Sequence, residues 1–135
     1  MVGRLRISHE AKAVRHFFIA LEKNATKIKT CWFCGHELPT HKLANQGHLS
    51  GNHAPDCPLE KLATATEQCI TLRHRDDEAA KQDAQNALLQ SIEDFYAAMT
   101  EQVMPKCPFP VCRYAFEMGH RLGCPFHAFE REIRA

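Results

Sequence analysis

The stretch GNHAPDCPLEKL at residues 51–62 has a near copy in MGHRLGCPFHAF at residues 118–129. Each contains a His, three further residues, a Cys and a Pro, followed by an apolar residue. A His and a Cys at this spacing lie about one helical turn apart and face the same way. Proline is well tolerated in a first helical turn, because its missing N–H has no partner there. The repeat therefore predicts two pairs of metal ligands, each at the start of a helix.

The first pair has partners earlier in the chain, where a C-x2-C turn offers two thiolates. The complete first set is Cys31, Cys34, His53 and Cys57. Three thiolates and one imidazole are typical of a closed tetrahedral zinc site. Residues 31–57 are rich in Gly, Pro and His and have little to bury, so an ion is expected to hold them as a first zinc module. The neighbouring histidines, His36, His41 and His48, are predicted to be surface or supporting residues.

A second set of ligands lies in residues 105–124, the predicted second zinc module. It consists of Cys107, Cys112, His120 and Cys124. Here the first two cysteines are four residues apart, which is a less common knuckle. His127 is a rival to His120, because its spacing from Cys124 also suits a ligand pair. The sequence thus predicts two structural zinc ions per chain.

The use of cysteine bears on the compartment. The chain has seven cysteines and no apparent export signal, which points to a reducing, cytoplasmic compartment and to metal rather than disulfides. The seventh, Cys69, lies in the middle of a predicted helix and is expected to be a small buried apolar residue. No apolar run approaches the ~20 residues that span a bilayer, so no membrane partner is expected.

Helical periodicity predicts a mainly α fold in one small domain over residues 1–135. Residues 8–28 form the pattern of one basic amphipathic helix, and residues 125–135 that of a C-terminal helix. Residues 58–104 contain no Gly or Pro after position 58 and are predicted to be central helices. We expect a hairpin of 58–73 and 77–103, because one continuous rod would bury its apolar stripes poorly unless it formed a homodimer.

Charge is unevenly distributed, although the net charge is only +1. Residues 1–30 carry seven Lys and Arg against two Glu, and residues 59–104 carry nine acids against four bases. One interpretation is attraction between helices of one fold, and the other is an arm that binds anions. The candidate nucleic-acid contacts are Arg4, Arg6, Lys12, Arg15, Lys23, Lys27 and Lys29.

The segments CWFCG at residues 31–35 and HAPDCPL at residues 53–59 resemble zinc-binding cassettes of short phage and prophage proteins. Those cassettes contain C-x2-C-G, a variable loop, and His-x-Pro-Asp-Cys-Pro-Leu leading into a helix. The resemblance covers residues 31–62. It implies the four metal ligands of the first set and, for a phage protein, the cytoplasm of the bacterial host. It implies no reaction.

Closed metal sites favour a non-enzymatic interaction protein that binds a protein partner. Trp32 and Phe33 between the first two ligands, and Phe109 between the second pair, are expected to pack beneath the metal. The alternative is an exposed aromatic contact. A nucleic-acid-binding zinc protein is the second hypothesis. A metal-dependent nuclease of the His-Asn-His type is the third, suggested by HKLANQGHLSGNH at residues 41–53.

Overall fold

The computed structural model describes residues 8–38, 49–101 and 124–134 of the 135-residue chain. The helices in this part are α1 (His9–Lys23), α2 (Ala25–Ile28), α3 (Pro58–Leu72), α4 (Glu78–Glu101) and α5 (Pro125–Arg134). The only strand-like pairing among the same residues is an isolated bridge between Thr30 and Glu37. The prediction of a mainly helical protein is confirmed for the described residues.

Three helices begin where the sequence provides a start signal. The Ser8 hydroxyl accepts a hydrogen bond of 3.1 Å from the backbone N–H of Ala11 and caps α1. Asp77 does the same for α4, accepting from the N–H of Ala80 at 3.0 Å. Pro58 occupies the first turn of α3, where its missing N–H costs nothing.

The predicted helix over residues 8–28 is interrupted at Asn24. The amide of Asn24 donates to the carbonyl of Ala20 at 2.8 Å, and the chain resumes only as the single turn of α2. Asparagine competes for backbone groups in this way and therefore favours helix ends over helix interiors. Lys29 then adopts a φ of 74°, which redirects the chain out of α2 towards the first cysteines.

The central helices are two rather than one rod. α3 ends at Leu72, α4 begins at Glu78, and the two pack against each other. The break between the two helices therefore covers residues 73–77, next to the predicted division between 58–73 and 77–103. The antiparallel geometry of a hairpin stays a prediction, and the predicted end of the second helix at residue 103 lies outside the described residues.

A group of buried phenylalanines joins α1, α4 and α5. This aromatic cluster consists of Phe17, Phe95, Phe126 and Phe129, all buried. The Phe17 ring centroid lies 5.1 Å from that of Phe126, 5.3 Å from that of Phe129 and 5.9 Å from that of Phe95. Such spacings allow edge-to-face and tilted contacts in addition to area burial. Phe17 and Phe95 each pair with the other three rings, but Phe17 lies closer to Phe126 and Phe129 than Phe95 does, so Phe17 is the centre of this packing.

α3 is held by aliphatic contacts. Leu59, Leu62 and Ala63 are fully buried, as is Leu88 of α4. The one buried hydroxyl on this face of α3, that of Thr66, donates to the carbonyl of Leu62 at 2.8 Å and so is satisfied. Among the helices described, none has both the length and the apolar character that crossing a bilayer requires.

The central position of Phe17 gives a prediction about stability. Phe17→Ala removes a fully enclosed ring from the aromatic cluster and should lower the free energy of unfolding by about 3–5 kcal/mol. Leu89→Ala is the control, since Leu89 on α4 is 41% exposed and should change stability by about 0.5 kcal/mol or less. Urea denaturation followed by circular dichroism measures both, and equal losses in the two variants would contradict this packing.

Candidate metal centre

The first two predicted ligands lie on a tight knuckle that follows α2. The bridge between Thr30 and Glu37 closes its base, and the N–H of Cys31 donates to the carbonyl of His36 at 2.9 Å. At the far end, the N–H of Gly35 donates back to the carbonyl of Cys31 at 2.9 Å. Gly35 has a φ of 79°, a conformation that costs glycine little and other residues more. The glycine directly after C-x2-C is thus explained by the turn.

The other two predicted ligands lie where the chain enters α3. Cys57 is the residue before the first helical turn, and its N–H donates to the carbonyl of Ala54 at 2.9 Å. His53 precedes that turn, and its side chain is only 7% exposed. The hydrogen-bonded turn between the two residues keeps them on the same side of the chain, facing the knuckle.

The structure brings Cys31, Cys34, His53 and Cys57 together. One ligand atom of each lies within 4.8 Å of all the others. The Cys31 and Cys57 sulfurs are 3.7 Å apart, and the Cys34 sulfur is 3.6 Å from Nδ1 of His53. A tetrahedral zinc ion with bonds of about 2.3 Å to sulfur and about 2.0–2.1 Å to nitrogen separates these atoms by about 3.8 and 3.6 Å. The group could therefore hold a metal ion and fits zinc, whereas the sulfur separation is far longer than a disulfide.

The side chains of this group shift one another's pKa values, and those of Cys57 and Cys34 move towards the thiolate that a metal needs. The hydrogen bond between the Cys57 and Cys31 sulfurs is the main reason that the pKa of Cys57 is lowered to about 4. The same contact, together with burial, raises the pKa of Cys31, so Cys31 keeps the proton that the pair shares. Burial raises the pKa of Cys34, but hydrogen bonds from the backbone at Ala54 and His36 outweigh it, and the net shift is downwards.

His53 carries the balancing positive charge. Burial lowers the pKa of the His53 imidazole, but the Cys57 and Cys34 sulfurs beside it raise the pKa above its ordinary value of 6.5. Without metal, the raised pKa of His53 and the lowered pKa values of Cys34 and Cys57 favour an ion pair between imidazolium and thiolate, while Cys31 keeps its proton. A metal ion would replace the protons on this group, because metal ligands must be thiolates and a neutral imidazole.

The two aromatic residues of the knuckle pack against helices, in line with the packing interpretation. The Trp32 indole N–H points to the sulfur of Met99 on α4 at 3.2 Å, and the Trp32 ring lies 5.8 Å from that of Phe126 on α5. The Phe33 ring lies 6.2 Å from that of Phe95. The knuckle is thus attached to the aromatic cluster. Phe109 lies outside the described residues.

Two glutamates of α3, not identified from the sequence, hold the loop that carries His53. Glu60 accepts from the N–H groups of Gly51 and His53, and Glu67 accepts from those of Leu49 and Ser50. Their spacing of seven residues places both on one face of α3. This spacing is the one signal in the sequence that pointed to the two glutamates. It does not single them out, because acidic residues at this interval are common on exposed helix faces.

The second predicted set cannot be assembled from the described residues. Cys107, Cys112 and His120 lie outside them. Cys124 is fully buried immediately before α5. His127, the rival of His120 as a ligand, is half-buried on that helix. His41 and His48 also lie outside the described residues, while His36 is exposed on the knuckle.

The candidate nucleic-acid contacts fall into three groups. Arg4 and Arg6 lie outside the described residues, and Arg15 is half-buried. The lysines at positions 12, 23, 27 and 29 are exposed. No ion pair joins these four lysines to an acidic side chain in the part of the chain that the structure describes.

Cys69, the seventh cysteine, is half-buried, and burial together with Glu10 raises its pKa to about 11.

The protonation pattern predicts how metal uptake depends on pH. At pH 6.5, metal-free protein holds protons on Cys31 and on most His53 rings, because both pKa values are raised. Zinc requires thiolate and neutral imidazole, so its binding should release these protons and strengthen as the pH rises. Calorimetric titrations with zinc at pH 6.5, in two buffers of different ionisation enthalpy, should give different heats. Cys69→Ser should release the same protons, and identical heats in both buffers would contradict the pattern.

Comparison with known proteins assigns the chain to no family. No protein-family model, no curated protein and no solved structure matches it. What the protein does is therefore inferred from the metal-binding group and from the surfaces around it.

Proposed function

We propose that the chain is a non-enzymatic, zinc-stabilised interaction protein, and that Cys31, Cys34, His53 and Cys57 hold a structural zinc ion. The observation that carries the proposal is the convergence of these four ligand atoms within 4.8 Å. Two of the separations equal those of a tetrahedral zinc site with sulfur and nitrogen ligands.

The ligand set supports a structural rather than a catalytic ion. A catalytic zinc keeps one position open for water or substrate, and its protein ligands are mostly His and carboxylate. Three cysteines and a histidine fill a tetrahedron, and Cys31 and Cys57 are only 3% exposed. An ion closed in this way polarises no substrate. The same occupation removes His53 from the list of free catalytic histidines and weakens the nuclease hypothesis.

The position of the site supports a role in holding the fold. The knuckle is attached to α4 and α5 through Trp32 and Phe33, and Cys57 leads directly into α3. An ion that joins the knuckle to Cys57 therefore links all three helices. Because the unfolded chain has no preformed site, the free energy of zinc binding becomes free energy of folding.

The remaining parts of the proposal follow from the sequence. A second zinc ion would be held by Cys107, Cys112, His120 and Cys124. The cassette at residues 31–62 supports a phage-type protein acting in the cytoplasm of its host, where thiolates stay reduced. With its zinc ions closed, such a protein acts through the surface that it presents, and its partner is another protein.

The first test is metal content, measured by elemental mass spectrometry on protein purified without added zinc. We expect two zinc ions per chain in the wild type, and one in each of Cys57→Ser and Cys124→Ser. Each substitution removes one thiolate from a different site, and chelation should lower the thermal unfolding midpoint because the ion stabilises only the folded state.

Cys69→Ser is the matched control for these variants, since Cys69 lies outside both sets of ligands and should leave the zinc content unchanged. One ion that is lost in Cys57→Ser and kept in Cys124→Ser would restrict the proposal to the first site. Wild-type protein without zinc would contradict it.

The alternative function, nucleic-acid binding, is favoured by one observation. Lys12, Lys23 and Lys27 are exposed and are not neutralised by described acidic side chains. Lys23 and Lys27 belong to the segment that leads into the metal knuckle, and both are exposed. Phosphate groups bind such surfaces through release of counterions.

Salt dependence tests this alternative. If lysines bind phosphates, the affinity for a fluorescent DNA duplex or RNA should fall linearly with salt on logarithmic axes. Replacing Lys23 and Lys27 together by Gln should reduce that slope by about two. The matched control replaces Lys61 and Lys81 of α3 and α4 by Gln. Equal effects of the two pairs in anisotropy titrations, or no binding at low salt, would exclude the alternative.

A further inference from the structure

The loop before α3 is held by carboxylates at two points. Both oxygens of Glu60 accept from the N–H of Gly51, at 3.0 and 2.8 Å, and one also accepts from the N–H of His53 at 3.3 Å. Seven residues further on, Glu67 accepts from the N–H groups of Leu49 and Ser50 at 2.6 and 3.0 Å. Charge-assisted bonds to ionised carboxylates are stronger than neutral ones.

The two glutamates hold different parts of the loop. Glu60 lies in the first turn of α3, three residues after Cys57, and it bonds to the backbone of His53. It therefore connects the two metal ligands of this loop through the main chain. Glu67, two helical turns away, holds the loop through the backbone of Leu49 and Ser50.

The placement of the His53 backbone decides which ring nitrogen reaches the metal. Nδ1 is one bond nearer to the main chain than Nε2, so a histidine that binds through Nδ1 must have its backbone close to the ion. Here Nδ1 is the atom that lies 3.6 Å from the Cys34 sulfur, the separation expected across a tetrahedral zinc ion. A shift of the backbone by about 1 Å at position 53 would remove this fit.

We propose that Glu60 is a positioning residue, which holds the main chain of His53 so that Nδ1 rather than Nε2 binds the metal. The inference rests on the proposed metal site. It assigns Glu60 a role in coordination geometry that Glu67, with equally many backbone contacts, does not have. Partners that orient metal ligands in this way typically contribute about 10- to 100-fold to affinity.

The test compares Glu60→Ala with Glu67→Ala in the full chain. Long-range proton–nitrogen correlation spectra of the zinc-loaded protein show which nitrogen of each histidine ring is metal-bound. The His53 signals are assigned by their loss in His53→Asn. Competition with a chromophoric chelator gives zinc affinity in the same samples. Glu60→Gln is a conservative variant, which retains one oxygen acceptor and the length of the side chain. It keeps the test available if Glu60→Ala fails to fold.

We expect Nδ1 coordination in the wild type and in Glu67→Ala, with similar zinc affinity. Glu60→Ala should bind zinc about 10- to 100-fold more weakly and show Nε2 or mixed coordination, with Glu60→Gln between the two. Wild-type affinity and Nδ1 coordination in both Glu60 variants would overturn the inference while leaving the metal site intact. So would equal losses in Glu60→Ala and Glu67→Ala. Wild-type protein that binds no zinc would instead remove the proposed function itself, and this inference with it.

Discussion

The fold depends on holding together two short segments, 31–34 and 53–57, which the sequence separates by eighteen residues. Closing a loop of this length costs about 3 kcal/mol of chain entropy. A zinc ion bound by thiolates and imidazole supplies on the order of 10 kcal/mol in small peptides at neutral pH. Under the proposed function, the metal term is therefore large enough to determine where the knuckle lies, and Leu38 and Leu49 at the described ends of the loop add buried apolar contacts.

The metal group and the aromatic cluster support one another. Trp32 and Phe33 lie between two ligands of the knuckle, and their rings contact α4 and α5. The buried rings fix the position of the thiolates, while the ion would fix the backbone that carries the rings. The two groups are thereby coupled, because the rings between the ligands pack on the helices that form the aromatic cluster.

Features encoded by short-range spacing were predictable. The C-x2-C and His-x3-Cys spacings of the first set identify residues that come together, and the two helices expected over 58–73 and 77–103 lie close to the bounds of α3 and α4. The break at Asn24 and the role of Glu60 were not. In each case a polar side chain bonds to a backbone group instead of remaining in solvent. Tertiary contacts decide which of the two occurs, and a single sequence does not show those contacts. Apart from the contact between the two central helices, which helices pack together was beyond the sequence for the same reason.

In the described residues, an ion pair joins α1 to α5, between His16 and Glu132, and it uses none of the lysines of α1 and α2. α1 contacts α3 and α5 through buried apolar residues such as Ala11, Val14 and Phe17. Its described polar link to α4 is a hydrogen bond from Gln85 to Glu10, which uses an acid and not a base. The lysines of α1 and α2 point elsewhere, since they are exposed and form no ion pair with described acidic side chains. These lysines are the residues to which the proposed alternative, nucleic-acid binding, assigns the phosphate contacts. The metal group and the basic surface are therefore separate properties of this domain. In the proposed function the first stabilises the fold, and in its alternative the second binds phosphate groups.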